Sequence, residues 1–154
     1  MSANAGPVRG CGTRRLGALR YVATASPGFF RRWFAAGVDA ESLAQAPCLV
    51  FNAKDALQAR WTAAAIGRTV APPVHWLPSS QAFVDATLAG LGWGMNPETL
   101  VARHLAEGRL VTLLPDQPLD VMLYWHWSRT VEPALRDLTA SVLRAARDYL
   151  VDSP

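Results

Sequence analysis

Two short polar stretches hold the side chains with which this 154-residue chain would bind a charged small molecule. The first, Phe51-Asn52-Ala53-Lys54-Asp55, follows the apolar run Cys48 to Phe51, of buried-strand type, and leads into a helical pattern from about Lys54 to Ala65. The second, Pro78-Ser79-Ser80-Gln81, follows a strand pattern from Pro73 to Leu77 and opens a helix through Leu88. Each stretch is a helix N-terminus at the C-terminal end of a strand. Such ends carry free backbone N–H groups and the positive end of the helix dipole, so they suit an anion such as a carboxylate. In open α/β sheets the ligand crevice lies outside those same strand ends. A plainer reading stands beside this one. Ser79 and Ser80 also serve as simple helix caps, and Asp55 as an acid that the dipole favours in a first turn.

Other chemistries find little here. His75, His104 and His126 are isolated, and Cys11 and Cys48 lie far apart with no Cys-x-x-Cys spacing, so no zinc pattern exists. The two cysteines read as buried or half-buried free thiols. Neither a Gly-x-Ser-x-Gly elbow nor a phosphate-cradling Walker A pattern occurs. Gly90-Leu91-Gly92-Trp93-Gly94 enters a strand instead of leaving one for a helix, so it is a tight turn needing glycine for positive φ or close packing, not a dinucleotide fingerprint. No enzymatic activity and no cofactor are expected.

The elements that position these stretches follow from periodicity and punctuation. Leu19 to Thr24 alternates as a strand, and Ser26-Pro27 starts a short apolar helix containing Phe29, Phe30, Trp33 and Phe34 that ends at Gly37. A second short helix runs from Asp39 to Ala46 and is stopped by Pro47. Gly92 to Met95 is a short strand, and Asn96-Pro97-Glu98 reads as a helix start with Asn96 as its cap, the helix ending near Ala106 with Gly108 as the stop. Leu110 to Leu114 and Leu119 to Trp127 are strands, the second apolar on both faces and so expected to be central. Val131, Leu135, Leu138, Val142, Ala145 and Tyr149 form the stripe of a final helix. Strands alternating with helices predict an α/β architecture with a largely parallel sheet.

Composition fits one ordinary domain. Apolar residues make up 51% and charged residues 18%, which excludes a disordered chain. The net charge is +3, and Arg9, Arg14, Arg15, Arg20, Arg31 and Arg32 all precede the first acid, Asp39. That basic third reads as a solvated rim, with phosphate contact as the alternative. No signal-peptide run is visible, and no stretch reaches the ~18 apolar residues of a membrane span. A cytoplasmic protein without membrane contact is expected.

The order of these segments carries a resemblance. Leu19-Arg20-Tyr21-Val22-Ala23-Thr24-Ala25-Ser26-Pro27 resembles the strand crossing into the second subdomain of LysR-type effector domains. Ala46 to Gln58 resembles the next unit in the arginine- and lysine-responsive (ArgP/LysG) group. Ser79 to Val84, Gly90 to Glu98, and Leu123-Tyr124-Trp125-His126-Trp127 follow in that group's order and spacing. The similarity covers roughly residues 8 to 150. Asn96 departs from the valine or isoleucine usual before this proline.

The resemblance implies an α/β, periplasmic-binding-protein-like (type II) effector domain, with subdomain II nearly complete and subdomain I partial. Residues 1–24 would be partial subdomain I and a crossover strand, 25–119 the effector-binding subdomain II, and 120–154 the return strand and C-terminal helix of subdomain I. It implies a LysR-family transcriptional regulator sensing lysine or arginine and lacking its own helix-turn-helix. Ser79, Ser80 and Gln81 would hold the ligand carboxylate, and Asp55, assisted by Asn52, its basic end. Partners would be the small-molecule effector and LysR-type subunits in a homo- or hetero-oligomer, with DNA reached only through an N-terminal domain. The alternatives are a non-DNA-binding remnant or dimerisation module, and a stand-alone solute-binding domain.

Overall fold

Local chemistry at the helix starts sets the element boundaries. In a computed structural model that describes residues 2, 3, 6 and 9–152, Ser26 Oγ accepts from Phe29 N at 3.3 Å and Pro27 occupies the first helical position. Asp39 accepts from the backbone N–H groups of Glu41 and Ser42, while Ser42 Oγ accepts from Asp39 N, a reciprocal capping box. Ser79 Oγ accepts from Ala82 N at 3.4 Å. Residues 1, 4, 5, 7, 8, 153 and 154, at the outer ends of the expected 1–24 and 120–154 segments, lie outside the described residues.

The element order is β1 (Cys11–Ala25), α1 (Pro27–Trp33), α2 (Ala40–Gln45), β2 (Cys48–Val50), α3 (Leu57–Ile66), β3 (Val74–Trp76), α4 (Ser80–Leu88), β4 (Gly94–Pro97), α5 (Glu98–Ala106), β5 (Val111–Thr112) and β6 (Leu119–Ser128). A 3₁₀ turn (Arg129–Leu135) and α6 (Arg136–Tyr149) complete it. The chain divides into two compact units, residues 21–119 and residues 1–20 with 120–154.

In the 21–119 unit, β2 pairs parallel with β3, and Cys48 bridges in parallel to Trp93 just ahead of β4. Helices α3 and α4 return the chain to the same end each time, which is what makes these strands parallel. The C-terminal part of β1 pairs antiparallel with both β4 and β5, in the register Tyr21↔Pro97 and Ala25↔Val111. The strands thus fall into two sheets, one holding the antiparallel pairs of β1 with β4 and β5 and the other the parallel pair β2–β3, where alternation alone predicted a largely parallel sheet. Trp61 and Trp93, both fully buried, meet at a tilt of 50° with centroids 5.5 Å apart and pack with Phe34, Leu43 and Cys48 in the main core. Each such side chain contributes roughly 1.5–3 kcal/mol on burial, so this core anchors the strand ends.

Two boundaries differ from expectation. Helix α3 begins at Leu57 instead of Lys54, because Asn52 and Asp55 spend their side chains on a turn ahead of it. Helix α5 does start after Pro97, but Asn96 does not cap it. Asn96 is a buried residue of β4, and its amide is drawn inward to Thr24 and Thr87.

In the other unit, β6 pairs with β1, which begins at Cys11, well upstream of the expected Leu19. Arg20 and Asp120 form a two-bond ion pair at 2.8 and 2.9 Å. Strand β6 is apolar on both faces, yet none of its residues is buried. Helix α6 meets it at Trp125, whose Nε1 donates to Thr139 Oγ1, but α6 itself holds a single buried residue, Ala146.

Candidate functional site

The parallel run of β2, β3 and β4 brings their C-terminal ends to one edge of the 21–119 unit, and a cavity of about 440 Å³ lies there. The loop after β2 contributes Phe51, Asn52, Lys54 and Asp55, with Leu57 behind it. Helix α4 contributes Ser80 and Phe83, β4 contributes Met95, Asn96 and Pro97, and β1 contributes Tyr21. Tyr21 reaches the site because β1 runs antiparallel to β4 and places it opposite Pro97.

Asp55 organises the loop. Its Oδ2 accepts from Phe51 N at 3.0 Å and from Gln58 Nε2 at 3.3 Å, and its Oδ1 accepts from Leu57 N at 3.0 Å. Asn52 Oδ1 accepts from Lys54 N at 2.8 Å, closing an Asx turn. These neutral donors hold the carboxylate in place without cancelling its charge, and Asp55 has no ion-pair partner among the described residues. The charge is felt nearby. Burial, then the negative field of Asp55, pushes the Tyr21 hydroxyl above its ordinary value. Lys54, also on the cavity wall, has no ion pair among the described residues either.

Ser80 is the first residue of α4 and lines the same cavity. The first turn of a helix leaves N–H groups without intrahelical partners, so an acceptor entering beside Ser80 meets the positive end of α4. The cavity therefore has a fixed negative side at Asp55, a donor-rich side at Ser80, and apolar surface from Phe51, Phe83 and Met95. That arrangement suits a small zwitterion with a cationic end.

Of the five residues singled out from sequence, the structure brings Asn52, Asp55 and Ser80 to the cavity. Ser79 caps α4 beneath it, and Gln81 bonds Asp85 on the exposed face of that helix at 3.1 Å; neither lines the cavity. Tyr21, Phe83, Met95 and Asn96 were missed. Their presence depends on which strands are neighbours, and only the pairing of β1 with β4 reveals that. A second cavity, about 600 Å³, lies in the other unit, lined by Arg14, Arg129 and Arg136 with Glu132. Among the described residues no group of histidines, cysteines and acids is placed to hold a metal ion, and no helix is long and apolar enough to cross a membrane.

Residues 3–147 match the model of the LysR substrate binding domain. The chain belongs to that family. Its fold is the type II periplasmic-binding-protein-like fold of LysR effector-binding domains, as solved relatives show. The C-terminal domains of a LysR family protein from Agrobacterium tumefaciens superpose with a TM-score of 0.96 at 53% identity, covering 99% of this chain and 73% of that one. The HTH-type transcriptional regulator ArgP of Pseudomonas fluorescens is 46% identical over 145 residues, 94% of this chain and 48% of ArgP. Full-length LysG from Corynebacterium glutamicum, solved with bound effector Arg, superposes with a TM-score of 0.81 at 34% identity, over 97% of this chain and 50% of LysG. The chain thus spans about half the length of the curated relatives it matches.

Proposed function

We propose that this LysR substrate-binding domain senses a basic amino acid, arginine or lysine, in the service of transcriptional regulation. One observation carries the reading: a single cavity pairs the Asp55 carboxylate, bonded by neutral groups and free of any ion pair among the described residues, with the start of α4 at Ser80. The ligand's carboxylate lies against Ser80 and the first-turn N–H groups of α4, its side-chain cation against Asp55, and its methylenes along Phe51 and Phe83. Asn52 and Lys54 shape the loop that presents Asp55. Bound effector Arg in the Corynebacterium glutamicum LysG structure supports the same ligand class. Ser79 and Gln81 belong to this reading as the cap and surface of α4. The chain acts by binding and not by catalysis. It works in the cytoplasm, where a regulator meets DNA, within an oligomer of LysR-type subunits.

The test is a titration of the isotope-labelled chain with L-arginine, L-lysine, L-leucine and L-glutamate, followed by amide chemical shifts. Arginine or lysine should move the resonances of residues 51–55 and 80–83, and the neutral and acidic amino acids should not. A hydrogen bond to a charged group contributes about 1.5–3 kcal/mol, so Asp55→Asn should weaken the basic ligand about tenfold or more. Equal response to leucine, or an unchanged affinity in Asp55→Asn, would sink the reading. A second role, as a dimerisation module, is favoured by the exposed apolar positions Val131, Leu138 and Tyr149, and sedimentation across a concentration series tests it.

A further inference from the structure

Asn96 is the one fully buried polar side chain among the residues that line the cavity; it is 1% exposed. Its amide orientation is settled by its neighbours. Thr87 Oγ1 donates its proton to Phe83 O at 2.8 Å, so whatever faces that oxygen from Asn96 must be a donor. Asn96 Nδ2 is that donor, at 3.3 Å, and its second N–H goes to Thr24 Oγ1 at 3.0 Å. Both N–H groups are spent, and the side chain is pinned between β1 and α4. Its Oδ1 accepts no hydrogen bond among the described residues. An acceptor without a donor keeps its bonding capacity, and Asn96 borders the cavity, where a donor would enter.

Two other side-chain acceptors of the cavity, Asn52 and Asp55, are already engaged in their own loop. Asn52 Oδ1 serves Lys54 N, and both Asp55 oxygens serve backbone donors of their own loop. Asp55 still offers charge to a distant cation. An amino acid whose carboxylate lies at Ser80 carries its α-ammonium on the very next carbon, and that group needs an acceptor in the same part of the cavity. Asn96 is joined to the helix that bears Ser80 through Thr87.

We infer that Asn96 is a specificity-determining residue of the cavity, its Oδ1 accepting a hydrogen bond from the α-ammonium of the bound amino acid. This rests on the basic-amino-acid reading above and deepens it. Asp55 reads the side-chain cation and Asn96 the α-amine, so a ligand with only one of the two is discriminated against. The two threonines act as positioning residues, because they fix which atom of the amide is left over.

The experiment compares L-arginine with guanidinovalerate, which is arginine without its α-amine, and L-lysine with aminocaproate. Affinities are read from amide shifts in the whole chain and in Asn96→Leu. The wild-type chain should prefer each amino acid over its deaminated analogue by about tenfold or more. Asn96→Leu should bring that ratio close to one, because it weakens the amino acid by about tenfold more than the analogue. A merely structural role for Asn96 would weaken amino acid and analogue alike. Should Asn96→Leu fail to fold, Thr87→Val leaves Asn96 in place but releases one of its two anchors, and the ratio should fall partway. Equal affinities in the wild-type chain, or a ratio preserved in either folded variant, would overturn the inference and leave the effector reading standing. If no basic amino acid or analogue moves cavity resonances, the effector reading fails and this inference with it.

Discussion

Asp120 and Asp55 are both acids held by hydrogen bonds, and they differ in what they have left to offer. Asp120 is closed off. Its hydrogen bond with Arg20 holds its carboxyl below the ordinary carboxylate range, partial burial works against this, and the Arg20 charge adds to it. A folded-state pKa below the unfolded value contributes stability that is present above the unfolded pKa of about 4 and lost as pH falls through the folded pKa. Urea midpoints taken from about pH 6 down to about pH 2 should therefore fall further for the wild-type chain than for Asp120→Asn. Identical acid dependence would mean the pair contributes nothing, a common outcome for half-exposed ion pairs. The cysteines make a second contrast. Burial, then the charge of Asp55, pushes the Cys48 thiol far up, and Cys48 is buried on β2 while Cys11 is half-buried. A thiol reagent should modify Cys11 in the native chain and Cys48 only in denaturant. Equal rates would show that the core around β2 opens readily.

At the scale of elements, the glycines after α4 separate two needs that look alike in sequence. Gly90 has φ of 76°, a backbone region that side chains disfavour, whereas Gly94 is needed for space: an added Cβ would lie 2.5 Å from Phe83 Cε1. Gly108 has φ of 68° with nothing within 4 Å of an added Cβ. Gly108→Ala should cost roughly 1 kcal/mol, the price of a left-handed alanine. Gly94→Ala should cost more, about 1–3 kcal/mol, because β4 and α4 must separate. It should also weaken ligand binding, since Phe83 lines the cavity. Thermal unfolding of the two variants ranks them, and a milder effect at Gly94 would show that this packing yields easily. The same segment marks how far sequence carries. Ser26, Asp39 and Ser79 were legible as helix starts because a cap is a local device, with its partners two or three residues away. Asn96 looked like another and was not, since its partners, Thr24 and Thr87, lie 72 and 9 residues away. Half of the candidate site was legible for the same reason. The β2 loop and the start of α4 announce themselves locally. Tyr21 and Asn96 enter only through the pairing of distant strands.

At the scale of the whole molecule, the two units differ in how much apolar surface they bury. The 21–119 unit encloses nearly every large buried side chain, among them Trp61, Trp93, Phe34, Leu43 and Leu49. In the other unit, among the described residues, an apolar stripe runs along the 3₁₀ turn and α6, where Val131 is 46%, Leu138 51% and Tyr149 64% exposed. Local stability follows such differences. Segments with few buried apolar contacts open at low free-energy cost, and core strands open only with global unfolding. Hydrogen exchange on the monomeric chain should therefore find slow amides in β2, β4 and α4, and fast ones throughout α6. Sequence periodicity would not have predicted this, because α6 has the regular apolar stripe that usually marks a helix packed on a core. An amphipathic helix with its stripe exposed also tends to associate, so protection in α6 should rise with chain concentration while protection in β2 stays constant. If α6 exchanges as slowly as β2 in a sample shown to be monomeric, the stripe is covered within a single chain. The division of stability between the two units would then be wrong.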